Sequence, residues 1–72
     1  MKGAEFLRRV KRLGVSRGIA VRFEAQRGKG SHGTLYLGAA FTTVKDRKKE
    51  IGPGLLNAML GQLGLAKDDL EE

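Results

Sequence analysis

An α+β fold with the element order α-β-β-β-α follows from three observations on this 72-residue chain. Apolar residues recur at helical spacing near each end, the spacing falls to two between them, and the connections there are short enough to force antiparallel neighbours. Two helices with one apolar stripe each cover one face of a three-stranded sheet and leave the other face open. Function is expected on that open face.

The first helix is expected over residues 4–13. Phe6, Leu7, Val10 and Leu13 form one stripe, and Arg8, Arg9, Lys11 and Arg12 occupy the rest of the circumference. Gly14 suits the position that ends a helix, with Lys11 and Arg12 in the last turn against the negative end of the dipole. From Ile19 the period is two: Ile19, Val21, Phe23 and Ala25 alternate with Ala20, Arg22, Glu24 and Gln26, as in a half-buried strand. Glycines at 28, 30 and 33 interrupt this pattern, and Thr34, Leu35, Tyr36 and Leu37 resume it, so the glycines make a hairpin connection. Gly38, Ala39 and Ala40 give a second turn, and residues 41–44 a third strand.

Residues 45–50 form a charged loop, after which Gly52 as N-cap and Pro53 as first helical residue open the second helix. Its expected stripe is Leu55, Leu56, Met59, Leu60 and Leu63, with Ile51 packing back on Leu56 and Gly64 as the stop. The acid-rich end, residues 67–72, is expected to fray. The chain is therefore divided into a domain over residues 1–66 and an acidic C-terminal tail over 67–72.

Composition excludes several classes of function. A domain of this size buries only roughly 60% of its unfolded surface, which favours a shallow surface site over an enclosed pocket. Without cysteine there is no disulfide scaffold, thiolate zinc site or thiol nucleophile, and the single histidine excludes a histidine metal cluster. No metal or other cofactor is expected. No apolar run approaches the roughly 18 residues of a membrane span, and Arg8 follows the N-terminus too closely for a signal peptide. The expectation is a cytoplasmic protein with no membrane partner. Fourteen Lys and Arg face eight Asp and Glu, a net charge of +6. Asp68, Asp69, Glu71 and Glu72 are half of the acids, so residues 1–67 set fourteen bases against four acids, a net of +10. Such a body attracts polyanions by releasing their condensed counterions, although a merely soluble or ribosome-surface basic protein has the same composition.

Gly28-x-Gly30-x-x-Gly33 spells the dinucleotide-binding pattern, but that motif opens a helix in a parallel sheet and here a strand follows. Gly30-Ser31-His32-Gly33 imitates the GxxG loop of KH domains, which joins two helices rather than two strands. What remains is physical. A glycine-rich turn carrying Arg27 and Lys29 lets backbone N–H groups and two cations approach a phosphate. Gly28, Gly30 and Ser31 complete the candidate contacts of this loop.

Period two places His32, Thr34 and Tyr36 on one face of the second strand and Leu35 and Leu37 on the other. His32 then lies on the open face beside the basic turn, with Tyr36 further along and able to stack on a base. Cleavage of RNA without metal needs a proton taken from the 2′-hydroxyl and one given to the leaving 5′-oxygen, and imidazole exchanges protons near neutrality. Arg27 and Lys29 would stabilise the charge on phosphate. The second proton-transfer group is left to Lys, Tyr, solvent or nothing, which implies a slow enzyme. Two readings of His32 stay open on these residues: a catalytic acid/base, or a histidine that hydrogen-bonds within a tight turn. Likewise Tyr36 is either a stacking platform or an ordinary strand aromatic. Lys48 and Lys49 precede a helix N-terminus, where a phosphate is favoured, or belong to a solvated loop.

These residues also carry a resemblance. Lys29-Gly30-Ser31-His32 between two strands, then a short strand, a basic loop, and Ile51-Gly52 ahead of Leu55, Leu56, Met59, Leu60, Gln62, Leu63, Gly64 and Leu65, resembles the HicA family of mRNA interferase toxins over about residues 5–65. The resemblance implies a double-stranded-RNA-binding-like α-β-β-β-α fold, metal-independent cleavage of mRNA that halts translation, and a cognate HicB antitoxin covering the active face. It implies that the catalytic histidine is His32. The alternative from another class is a non-catalytic basic RNA-binding module using the same fold.

Overall fold

In a computed structural model the described residues are 1–28, 30 and 32–71. Lys29, Ser31 and Glu72 lie outside them. The elements are α1 (Gly3–Arg17), β1 (Val21–Ala25), β2 (Gly33–Leu37), β3 (Ala40–Val44) and α2 (Pro53–Leu63), followed by a 3₁₀ turn, Lys67–Leu70. The three strands form one antiparallel sheet in the order β1-β2-β3, so the expected α+β architecture is the one observed.

The register sorts the strands into cross-strand rows. Val21, Leu37 and Ala40 pair across the sheet, as do Phe23, Leu35 and Thr42, and then Ala25, Gly33 and Val44. Leu35, Leu37 and Val44 join Phe6, Leu7, Val10 and Leu13 of α1 and Leu56, Met59, Leu60 and Leu63 of α2 in a single apolar core. These rows therefore form the covered face. The alternate rows are Arg22, Tyr36 and Phe41, then Glu24, Thr34 and Thr43, and they face away from the core. Thr42 is the polar exception inside: the residue is 1% exposed, and its hydroxyl donates to Gln62 Oε1 of α2 at 2.6 Å.

Helix α2 begins and ends where its capping residues imply, with Gly52 extended as N-cap, Pro53 at its start and Gly64 left-handed at φ 72°. Two expectations for the helices fail. Leu55 is 44% exposed and lies outside the core, because Leu56, Met59, Leu60 and Leu63 already fill the side of α2 turned to the sheet. Helix α1 does not stop at Gly14 but runs on to Arg17, and Gly18 at φ 67° is its left-handed cap. Gly14 serves a different need: a Cβ there would lie 2.2 Å from Val21 Cγ2 and 2.7 Å from the Ile19 carbonyl oxygen. The helix and the start of β1 touch at that glycine, and β1 correspondingly begins at Val21 rather than Ile19.

The tail does not fray over its described part. Leu70 is 3% exposed and belongs to the core. Arg9 Nη1 donates to the Leu70 carbonyl at 3.2 Å, and Arg17 pairs with Asp69 at 2.6 Å. One buried leucine and two arginine contacts hold this turn against α1.

Candidate functional site

The β1–β2 ladder extends one step beyond the strands, through the Gln26 N–H donating to the His32 carbonyl at 2.8 Å. His32 is half-buried, and the pleat sets it with Thr34 and Tyr36, opposite Gly33 and Leu35. Gly33 is bare for a reason of space: a Cβ there would meet Phe23 Cζ at 2.3 Å and the Glu24 carbonyl oxygen at 2.6 Å. The hairpin thus closes tightly beside the histidine. In the turn itself Arg27, Gly28 and Gly30 are exposed. Gly28 and Gly30 hold φ 76° and 58°, a conformation glycine adopts without strain, with open space where a side chain would begin. Lys29 and Ser31 were also expected to contact phosphate and fall outside the described residues.

The same end of the sheet carries residues 45–50, because β3 ends at Val44, the partner of Gly33. Continued one step past the Gly33–Val44 pair, the register would set Lys45 on the β3 side of His32. The first N–H groups of a helix have no partner within it, and here carbonyls of this loop supply two. The Gly3 N–H donates to Lys49 at 3.1 Å and the Ala4 N–H to Arg47 at 2.8 Å, while the Ile51 N–H returns a bond to Met1 at 2.8 Å. Gly3 has no room for a Cβ, which would lie 2.5 Å from the Asp46 carbonyl oxygen. Asp46 accepts the Lys48 N–H at 2.8 Å and turns the chain. Lys48 and Lys49 are exposed, as expected of phosphate contacts or of a solvated loop alike. Arg47, which spacing did not single out, lies with its guanidinium carbon 5.2 Å from the centre of the Phe23 ring.

Tyr36 is not part of this basic end. It lies four residues along β2 from His32, about 13 Å at the rise of a strand, too far for both to act on one phosphate. Its neighbours in the outward row are Arg22, whose guanidinium carbon is 4.4 Å from the Tyr36 ring centre, and Phe41, whose ring centre is 6.0 Å away at 44°. Arg22 is also paired with Glu24 at 2.7 Å. Arg22 and Phe41 carry no mark in the spacing of the sequence, because only the register places them beside Tyr36.

Elsewhere, α1 spends part of its basic side on structure. Arg9 pairs with Glu5 at 2.6 Å, and Arg17 with Asp69. The Asp69 carboxyl is held below the ordinary range, first by the Ala66 N–H it accepts and then by Arg17. Among the described residues no helix is long and apolar enough to cross a membrane.

No curated protein and no solved structure matches the chain significantly. The family described as the HicA toxin of bacterial toxin–antitoxin systems does match, over residues 19–65. That segment runs from the entry to β1 through the glycine hairpin, the basic loop and α2 to Leu65. The chain belongs to the HicA toxin family.

Proposed function

We propose that this toxin is a metal-independent endoribonuclease that cleaves mRNA and thereby inhibits translation, with His32 as general acid/base. The observation that supports the reading is the position of the chain's only histidine at the end of the sheet from which the hairpin, with Arg27, and the 45–50 loop, with Lys45, Lys48 and Lys49, both leave. A phosphodiester drawn to these cations would lie against the imidazole edge.

In the reaction the 2′-oxygen attacks phosphorus as its proton leaves to a base. The bond to the 5′-oxygen breaks as that oxygen receives a proton, leaving a 2′,3′-cyclic phosphate and a 5′-hydroxyl. His32 supplies one of these proton transfers. Lys45 and Lys29 are the nearest lysines along the chain and register for the other, and Tyr36 is too distant. Arg27, Lys29 and the N–H groups around Gly28, Gly30 and Ser31 hold the phosphate, and Lys48 and Lys49 contact flanking phosphates. Family membership implies a cognate HicB antitoxin. On this reading that antitoxin silences the toxin by covering the face that bears His32.

The test is incubation of the purified protein with mRNA in excess chelator. Fragments ending in cyclic phosphate are the expected product. Intact RNA under conditions where the protein binds it tightly would instead favour a non-catalytic RNA-binding module.

A further inference from the structure

We propose that Arg22, Tyr36 and Phe41 form a nucleobase-stacking row that takes unpaired bases of the RNA whose phosphate reaches His32. The inference rests on the ribonuclease reading and adds to it the strandedness of the substrate. Phe41 is 58% exposed on a strand, in the row turned away from the core, so its burial does not account for it. Tyr36 lies between Phe41 and Arg22, with the guanidinium over its ring. The guanidinium stacked on Tyr36 and the exposed Phe41 ring beside them offer planar surfaces on which bases of any sequence stack.

Charge selects RNA over an apolar protein surface as the occupant. Among the described residues of this face and the adjoining turn, Arg22, Arg27 and Lys45 are opposed by Glu24 alone, and Glu24 is already paired with Arg22. The row is about 13 Å from His32 along β2, so a base stacked there belongs to a nucleotide a short way along the strand from the scissile phosphate. A duplex, whose bases are stacked inside, could not offer a base face to this row.

The experiment uses the full chain carrying His32→Ala, so that binding is read without cleavage. Two fluorescently labelled RNAs of about ten nucleotides are compared, oligouridine and an abasic strand with the same phosphates. Oligouridine is expected to bind about 5- to 100-fold more tightly. Phe41→Ala, at an exposed position, and Tyr36→Leu should each shrink that ratio toward one while leaving the abasic affinity unchanged. Equal affinity for both strands with the row intact overturns the stacking proposal and leaves the ribonuclease reading standing. A ratio that survives Phe41→Ala while capture by the antitoxin weakens makes the row a protein contact and also overturns it. Failure to bind either strand removes the ribonuclease reading and the row with it.

Discussion

Replacing Gly33 with alanine puts the geometry of the hairpin to a quantitative test. Considered as a strand residue alone, glycine is a liability, and alanine would gain about 0.5–1 kcal/mol. Nothing in its backbone forbids the change, because φ at Gly33 is not positive. The surroundings decide the sign. The new Cβ would stand 2.3 Å from Phe23 Cζ and 2.6 Å from the Glu24 carbonyl oxygen, both well inside contact distance. The ring can shift slightly, but the carbonyl belongs to the neighbouring strand. Overpacking costs about 1–3 kcal/mol, and two contacts this short put the cost at about 2–3 kcal/mol, so a net loss of about 1–2.5 kcal/mol remains. For a domain of this size that lowers the melting temperature by about 4–20 °C. Gly61→Ala is the matched control. Gly61 lies in α2 with open space around it, and the same substitution there should gain about 1 kcal/mol from helix propensity. Thermal melts followed by far-ultraviolet circular dichroism read both variants. If Gly33→Ala melts at or above the wild type, the close approach of Phe23 and Glu24 to the strand beside His32 is wrong.

Three further outcomes follow from contacts away from the hairpin. Gln62→Ala strands the buried Thr42 hydroxyl and should cost about 1–3 kcal/mol in urea unfolding, more than Thr42→Val, which removes the hydroxyl itself; the reverse order would refute the pairing. Leu70→Ala should cost at least about 2 kcal/mol, whereas a fraying tail would give no measurable change. The Asp69 carboxyl is depressed in the folded chain, so its contribution is present above the ordinary carboxylate pKa of about 3.9 and is lost as pH falls through the lower folded value. The Ala66 amide resonance should titrate with a midpoint below about 3.9 that rises in Arg17→Ala, and an ordinary midpoint in the wild type would mean that Asp69 does not hold the tail turn.

The parts of the fold legible in the sequence are those whose signal is local. Gly52, Pro53 and Gly64 mark α2 because capping depends only on the backbone at the helix ends. The alternation around Leu35 and Leu37 identifies the buried face of β2 because a pleat has a fixed period. Gly14 and Gly18 are equally plausible stops for α1 by residue type, and only the approach of Val21 shows that Gly14 is a steric requirement instead. Leu70, a lone apolar residue among acids, has no periodicity to announce that it is buried.

The candidate site divides in the same way. The position of His32 follows from the pleat, and the basic turn from composition, because both are features of one strand and its connection. The outward row is different in kind. Arg22, Tyr36 and Phe41 lie on three strands, and they become neighbours only through the pairings Arg22–Tyr36 and Tyr36–Phe41, which depend on the lengths of both turns. The 45–50 loop is placed at the histidine's end by where β3 stops and by its bonds to the start of α1, and spacing along the chain reveals neither.

The most direct measurement is the rate of RNA cleavage in excess chelator by the wild type and by His32→Ala, at matched concentration and with RNA affinity and melting temperature determined for both. The substitution is expected to abolish cleavage and growth arrest on expression, while the variant remains folded and still binds RNA. Cleavage by folded His32→Ala at the wild-type rate, yielding the same cyclic phosphate ends, would contradict it.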